Sequence, residues 1–199
     1  SRAWCEAENH HYIRARELAE AVLRTTPDSY VGHFVLAYVQ HMGEANVPRA
    51  LFQMRRAIEL FTGRYGSHPV MGGTPWRWHA QMLRQMAFIE ADMEHYEEQL
   101  RWIEAYNELY RPEMLAESAW PLMKLRRFDD ARAAADIGRR SGAPWQNEVA
   151  LNALCAVEFE AGDERASYDA CRAALMLHGA DPERQSAVDF TNFAEAARS

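Results

Sequence analysis

Pairs of acidic and histidine side chains are the residues of this sequence whose types and spacing could bind a metal ion. Glu8 and His11 are three residues apart, as are Asp92 and His95, and this spacing puts both side chains on one turn of a helix. A di-iron site in a helical bundle needs two such pairs and two further carboxylates on facing helices. The first pair lies near the start of the chain and the second crosses a predicted turn, so we expect no metal site and no cofactor.

Catalytic motifs are absent from the sequence. It contains no H-E-x-x-H, no G-x-S-x-G and no phosphate-binding glycine loop. A nucleophilic cysteine needs a partnered, partly exposed thiol, whereas Cys155 and Cys171 fall where two helices of one hairpin should pack. We expect His33, His41 and His79 to be polar groups on helix faces. We therefore predict that the protein is not an enzyme.

Cysteine usage and hydropathy indicate a cellular compartment. The three cysteines, Cys5, Cys155 and Cys171, are an odd number without C-x-x-C spacing. This pattern argues against a disulfide framework or a zinc site and favours buried free thiols in a reducing compartment. No segment approaches the roughly 18 apolar residues of a membrane helix. We expect a cytoplasmic protein that does not insert into a membrane.

The charge of the chain is negative and concentrated in its middle. The net charge is −7, and the segment from Glu90 to Glu117 alone carries nine acidic residues against two arginines. Phosphate binding needs a concentrated basic face, so the composition disfavours nucleic acid as a partner. The cations are 21 arginines and a single lysine, Lys124.

The elements that would position any site repeat along the chain. In the segment RRFDDARAAADIGRR, Phe128, Ala131, Ala135 and Gly138 share one helical face, and small side chains there let a second helix approach closely. Related sets are Tyr12, Ala15, Ala19 and Val22; Ala50, Met54 and Ala57; Tyr96, Gln99, Ile103 and Tyr106; and Ser167, Cys171 and Ala174. The last members of the sets are 35, 49, 32 and 36 residues apart. The long interval contains 14 residues rich in turn formers, 62–75, without which it is 35.

A period near 34 built from two short helices resembles the tetratricopeptide repeat (TPR) family. Prolines just past helix ends, at Pro27, Pro112, Pro144 and Pro182, fit the same pattern. The resemblance implies an all-α fold, a right-handed α-solenoid of about five TPR-like helical hairpins forming a single domain over 1–199. It would carry an irregular insertion at 62–75 and a C-terminal capping helix that begins at Asp181–Pro182–Glu183.

The predicted helices follow from the apolar spacing and from the turn residues between the periodic segments. We expect helices near 12–25, 29–42, 47–61, 76–92, 94–110, 113–125, 128–140, 146–160, 163–178 and 184–197, with residues 1–11 holding the end of an earlier helix.

The resemblance also implies a binding surface. In this family the first helix of each hairpin lines a concave groove that holds peptides. The positions that match are His33, Leu36, Gln40, Arg84, Gln85, Phe88, Asp92, Glu117, Trp120, Lys124, Asn152 and Phe159. Leu36, Phe88 and Trp120 would fall at one point of successive copies, with Phe159 one turn further on. Such an apolar stripe with polar flanks suits an amphipathic helix or an extended peptide.

Some family members grip a C-terminal carboxylate with lysine, arginine and asparagine at set groove positions. Here only Arg84 and Asn152 suit that task, and Glu117 opposes it. We therefore expect no such clamp.

The function implied by the resemblance is a scaffold or adaptor that binds a protein or peptide in its groove. Two alternatives remain open: a ligand-sensing regulatory domain of a larger signalling or transcription-regulator protein, and a self-assembly module. The insertion at 62–75 would be either a mobile linker or a lid over the groove.

Overall fold

The fold of the chain is all-α in the computed structural model, which describes residues 1–111 and 113–177. Within those ranges no β-strand occurs, which confirms the all-α prediction for them. The α-helices are α1 (Arg2–Glu8), α2 (Tyr12–Thr25), α3 (Tyr30–Tyr38), α4 (Val47–Tyr65), α5 (Thr74–Asp92), α6 (Tyr96–Leu109), α7 (Ala119–Lys124), α8 (Phe128–Arg140), α9 (Pro144–Ala161) and α10 (Glu164–Leu177). A π-helical turn, Val39–Gly43, extends α3, and a 3₁₀ turn, Ala116–Ser118, precedes α7.

Parts of the sequence prediction fall outside the described residues. These are Pro112 and the C-terminal capping helix with its start at Asp181–Pro182–Glu183. No helix of the described residues is both long enough and apolar enough to span a bilayer.

The chain divides into two compact units, Ser1–Tyr110 and Arg111–Ser199. In the first unit each helix from α1 to α6 packs against the next one along the chain. In the described part of the second unit, α7 to α10 do the same. Antiparallel neighbours joined by short connections are the local structure that the repeat predicts. The single domain over 1–199 stays a prediction.

One backbone turn recurs between the two helices of each described hairpin. Its centre is a residue with positive φ, and these residues are His10, Ala45, Glu94, Arg126 and Gly162. They are 35, 49, 32 and 36 residues apart, the intervals found in the sequence. In four of the turns the amide after the positive-φ residue donates to a carbonyl five residues back, over 2.9 Å, as in a Schellman motif. The exception follows the π-helical turn, where the amide of Asn46 reaches back six residues to Gln40 over 2.7 Å.

The second helix of each hairpin buries the small residues that the sequence singled out. The residues five and nine positions after the turn centre are all buried: Ala15 and Ala19, Ala50 and Met54, Gln99 and Ile103, Ala131 and Ala135, Ser167 and Cys171. The last members of two sets are less buried than these, since Val22 is exposed and Tyr106 is half-buried. Gly138 shows why the face must be small, since a Cβ added there would lie 2.6 Å from the Cβ of Ala116.

The irregular insertion is shorter than the sequence predicted. Thr62 to Tyr65 form the last turn of α4, and α5 begins at Thr74, so only residues 66–73 are irregular. The last turn of α4 stays helical because the ring of Tyr65 packs against Phe61 and Tyr30, with ring centroids 5.0 and 5.9 Å apart. Gly66 then ends the helix with a positive φ of 77°.

Candidate functional site

A cleft between α7 and α9, in the second unit, brings together three of the predicted groove residues. Trp120 and Lys124 come from α7 and Phe159 comes from α9. We call it the Trp120–Phe159 cleft. Its remaining lining residues are Met123, Cys155, Ala156 and Glu160, and its volume is about 150 Å³.

The two aromatic rings of the cleft are accessible to solvent. Trp120 is 39% exposed and Phe159 is 40% exposed, although the residues beneath them, Met123 and Cys155, are buried. The ammonium of Lys124 lies 5.0 Å from the centroid of the Trp120 ring, which is cation–π distance. Lys124 follows Trp120 by one helical turn, so the helix itself places the cation over the ring.

A buried glutamine fixes the backbone that leads into α7. The side chain of Gln146, on α9, is 1% exposed. Its Oε1 accepts a hydrogen bond from the amide of Ala116 over 2.7 Å, and its Nε2 donates to Glu117 over 3.0 Å. These bonds attach the 3₁₀ turn to α9 and so set the position of Trp120. Gln146 was not among the predicted site residues, because nothing in its spacing distinguishes it from a solvent-facing polar residue. Its only signal is that it falls on the buried face of α9.

Among the described residues around the cleft, the carboxylates form ion pairs and Lys124 does not. Glu160 lies 3.7 Å from Arg126 in an ion pair. Glu158, the residue before Phe159, accepts two hydrogen bonds from Arg132, at 2.9 and 2.7 Å. Hydrogen bonds that Arg132 donates to Glu158 and Asp129 raise the pKa of its guanidinium above its ordinary value, and the bond to Glu158 contributes most. Among the described residues, Lys124 has no carboxylate within ion-pair distance.

The other two predicted groove residues of the second unit, Asn152 and Glu117, are not among the residues that line this cleft. Asn152 is half-buried on α9, two turns before Phe159. Glu117 is half-buried in the 3₁₀ turn, where it accepts the hydrogen bond from Gln146. Its carboxylate is therefore engaged in holding the backbone.

The predicted groove residues of the first unit form two small clusters. In one, the guanidinium of Arg84 lies 5.6 Å from the centroid of the Phe88 ring, which is 36% exposed. In the other, His41 is enclosed between Gln85 and Asp92. The Nε2 of His41 lies 2.6 Å from Asp92 and its Nδ1 lies 2.7 Å from the Gln85 amide. Gln85 is buried, so it supports His41 and is not part of an accessible surface.

Leu36, like Gln85, is a predicted groove residue whose exposure the structure contradicts. It is only 7% exposed and belongs to the hydrophobic core of the first unit. Phe88 and Trp120 lie six residues before the turn centres Glu94 and Arg126, but Leu36 lies nine residues before Ala45. Leu36 is therefore three residues too far from its turn centre to match Phe88 and Trp120. The two remaining residues, His33 and Gln40, are half-buried.

The predicted pairs Glu8–His11 and Asp92–His95 are not formed, because the two histidines and Asp92 bond to other residues. His11 bonds to Glu6 over 2.9 Å and His95 bonds to Glu90 over 2.7 Å, while Asp92 bonds to His41. The described residues contain no group of three or more histidine, cysteine or acidic side chains placed to hold a metal ion.

The histidine whose pKa is most strongly shifted among the described residues is a core residue. His79 is buried, stacks on the ring of Phe61 at 5.0 Å and bonds through Nδ1 to the hydroxyl of Tyr110 over 2.6 Å. Burial lowers the pKa of His79 from 6.5 to about 4, with a smaller contribution from His68. The same burial raises the pKa of Tyr110 above its ordinary value. Both groups are thus neutral at physiological pH.

Two of the three cysteines are joined. Cys155 on α9 and Cys171 on α10 form a disulfide, with Cα atoms 4.8 Å apart, and Cys5 is free and exposed. The prediction of buried free thiols is therefore wrong for Cys155 and Cys171, which are not free, and for Cys5, which is not buried. The odd number of cysteines led to the wrong prediction, because Cys5 is the unpaired one while Cys155 and Cys171 face each other across the hairpin. Disulfides persist in oxidising compartments, so the cysteines give no support to a cytoplasmic location.

Comparison with known proteins adds no family to this description. No family model matches the chain, and no curated protein matches it.

Proposed function

We propose that the chain is a peptide-binding scaffold that holds a segment of another protein in the Trp120–Phe159 cleft. The observation that carries this proposal is the placement of two partly exposed aromatic rings on separate helices, with a cation over one of them. Exposed aromatic side chains that line a concave site are frequent anchors of protein interfaces. Leaving both rings in contact with water contributes no hydrophobic stabilisation to the folded monomer.

The size of the cleft favours a peptide side chain over a free small molecule. Pockets for small-molecule ligands are typically about 300 to 1,000 Å³, whereas this cleft holds about 150 Å³. A cavity of about that volume accommodates one benzene ring. One leucine-sized or phenylalanine-sized side chain therefore fills it, and the rest of the ligand would lie along the helices outside.

The scaffold we propose is a TPR-like right-handed solenoid. The recurring turn at intervals of 35, 49, 32 and 36 residues supports this, as do the buried small faces of the second helices. Units of this kind bury their apolar faces by stacking on their neighbours. Because helices hold the anchors in place before the ligand arrives, little conformational entropy is lost on binding. The proposed function includes no catalytic step, metal ion, cofactor or nucleic acid.

Selection from a peptide library tests the proposal. A phage-displayed library of random 12-residue peptides is selected on the wild-type protein and on a Trp120→Ala/Phe159→Ala variant that circular dichroism shows to be folded. Trp145→Ala is the matched control, because Trp145 is also partly exposed on α9 but lies outside the cleft. We expect enriched peptides that bind the wild type and the control and are lost with the double variant. Peptides that bind all three proteins equally would refute the cleft as the binding surface.

A further inference from the structure

Within residues 1–111 and 113–177, no carboxylate pairs with the positive charge of the Trp120–Phe159 cleft. Two charged side chains line it, Lys124 and Glu160. Glu160 is paired with Arg126 at 3.7 Å, whereas the described residues give Lys124 only the face of the Trp120 ring. An ammonium has three hydrogen-bond donors and no acceptor. An aromatic face attracts the cation but does not neutralise it.

The ammonium of Lys124 lies next to the place where a peptide side chain would bind, beside Trp120. Lys124 lies one helical turn after Trp120, on the same face of α7. A peptide side chain between Trp120 and Phe159 would therefore place its neighbouring residues beside the ammonium. A carboxylate there would gain a charge-assisted hydrogen bond, and a basic residue there would be repelled.

We propose that the segment bound in this cleft is acidic next to its anchor. An apolar side chain enters between Trp120 and Phe159, and the carboxylate of an adjacent aspartate or glutamate pairs with Lys124. This inference rests on the proposed function, since it names the chemistry of the ligand of that same cleft. The partner is thus a protein segment in which a large apolar residue is flanked by acidic ones.

Charge reversal at Lys124 tests the inference. The same peptide library is selected on wild type and on Lys124→Glu, with peptides fused through their C-termini so that no free C-terminal carboxylate is present. We expect the wild type to enrich aspartate or glutamate beside a large apolar residue. The Lys124→Glu variant should instead enrich lysine or arginine at that place. The matched control is Arg165→Glu, an exposed cation on α10 without a described ion pair, and it should select the same peptides as the wild type.

A binding measurement with one selected peptide gives the size of the effect. For the most enriched acidic peptide, made synthetically with both ends capped, we expect Lys124→Gln to weaken binding about three- to tenfold, as for a partly exposed ion pair. Arg165→Gln should leave the affinity unchanged. Binding to the wild type should weaken as sodium chloride is raised, because salt screens the pair.

The outcomes separate the two proposals. Apolar anchors enriched without acidic neighbours, or an acidic preference that survives Lys124→Glu, would overturn the inference and leave the peptide-binding cleft standing. If the Trp120→Ala/Phe159→Ala variant selects the same peptides as the wild type, or if the wild type enriches none, the cleft is not the binding surface. The inference then fails together with the proposed function.

Discussion

Glu90, near the end of α5, accepts a 2.7 Å hydrogen bond from His95, at the turn into α6, and its carboxylate is 1% exposed. Arg55 of α4 approaches the other oxygen of this carboxylate at 3.3 Å. The turn between α1 and α2 contains the same pair in the same positions, Glu6 and His11, at 2.9 Å. There the glutamate side chain is 25% exposed and the histidine 66%. One backbone motif thus presents the same pair of side chains in two different dielectric surroundings.

We expect the same histidine-to-alanine substitution to lower the free energy of unfolding by different amounts in the two turns. His95→Ala leaves a buried carboxylate with Arg55 as its one described charged partner, and we expect it to lower the free energy of unfolding by about 2 kcal/mol. His11→Ala removes the matching side chain from a carboxylate that water reaches, and we expect a change of less than about 0.5 kcal/mol. Urea unfolding at pH 7, followed by circular dichroism, measures both.

A double-mutant cycle identifies the buried charge as the cause. Replacing the carboxylate by an amide, Glu90→Gln, removes the charge that His95→Ala leaves behind. The loss caused by His95→Ala should therefore shrink in the Glu90→Gln background. Equal losses in both backgrounds would mean that His95 stabilises the turn by its shape and not by its bond to Glu90.

His79 predicts a specific dependence of stability on pH. Its pKa is about 4 in the folded protein and 6.5 without the fold, so between these values the unfolded chain binds the proton more readily. The stabilisation is complete above pH 6.5 and is lost as the pH falls towards 4, by about 3 kcal/mol in all. We expect the free energy of unfolding of His79→Gln to depend less on pH over this range.

The control for His79 is an exposed histidine with the same kind of partner. His10 bonds to the hydroxyl of Tyr12 over 2.8 Å at the protein surface. His10→Gln should keep the pH dependence of the wild type, because the His10 side chain is exposed to water in the folded protein as it is in the unfolded chain. If His79→Gln loses as much stability as the wild type between pH 6.5 and 5, His79 is not the group responsible.

The helices could be predicted from the sequence because local signals agree with the packing. The bounds predicted for α2 and α8 match those observed, since each begins just after a turn and carries small residues at steps of three and four. The π-helical turn Val39–Gly43 could not be predicted, because it adds a residue without any change in composition. The last turn of α4 was also not predicted. Gly63 in this turn is typical of a helix end, and the turn is stabilised by a tertiary contact of the Tyr65 ring.

The site was predictable in its aromatic residues and not in its polar support. Trp120 and Phe159 follow from the repeat, because their distances from the turn place them on exposed faces of first helices. The cation above Trp120 follows from a spacing of four residues. The bonds of Gln146 to the 3₁₀ turn join positions about 30 residues apart. Contacts of that kind depend on how the helices dock, which no local pattern encodes.

The disulfide between Cys155 and Cys171 predicts a thiol count and a loss of stability. Protein purified without reductant and then denatured should titrate with one thiol, from Cys5, and with three after reduction. The bond closes a loop of 16 residues, for which chain entropy gives a stabilisation of about 3 kcal/mol. We expect a reducing agent to lower the free energy of unfolding by about that amount. Three thiols before reduction would restore the original prediction of free cysteines.

We expect the replacement of Gly138 by alanine to destabilise the protein, although alanine favours helices. A Cβ at this position would lie 2.6 Å from the Cβ of Ala116 and 3.1 Å from its backbone atoms, so the backbone must move. We expect Gly138→Ala to lower the free energy of unfolding by about 1 to 2 kcal/mol, measured by urea unfolding.

A second helical glycine separates this steric effect from helix propensity. A Cβ added to Gly63, in the last turns of α4, meets no atom within 4 Å. Gly63→Ala should therefore raise the free energy of unfolding, by about 0.5 kcal/mol. Ala116→Gly in the Gly138→Ala background should recover part of the loss, because it removes the nearest atom while the backbone contact remains. If Gly138→Ala stabilises the protein as Gly63→Ala does, close contact between α8 and the 3₁₀ turn is not what requires the glycine.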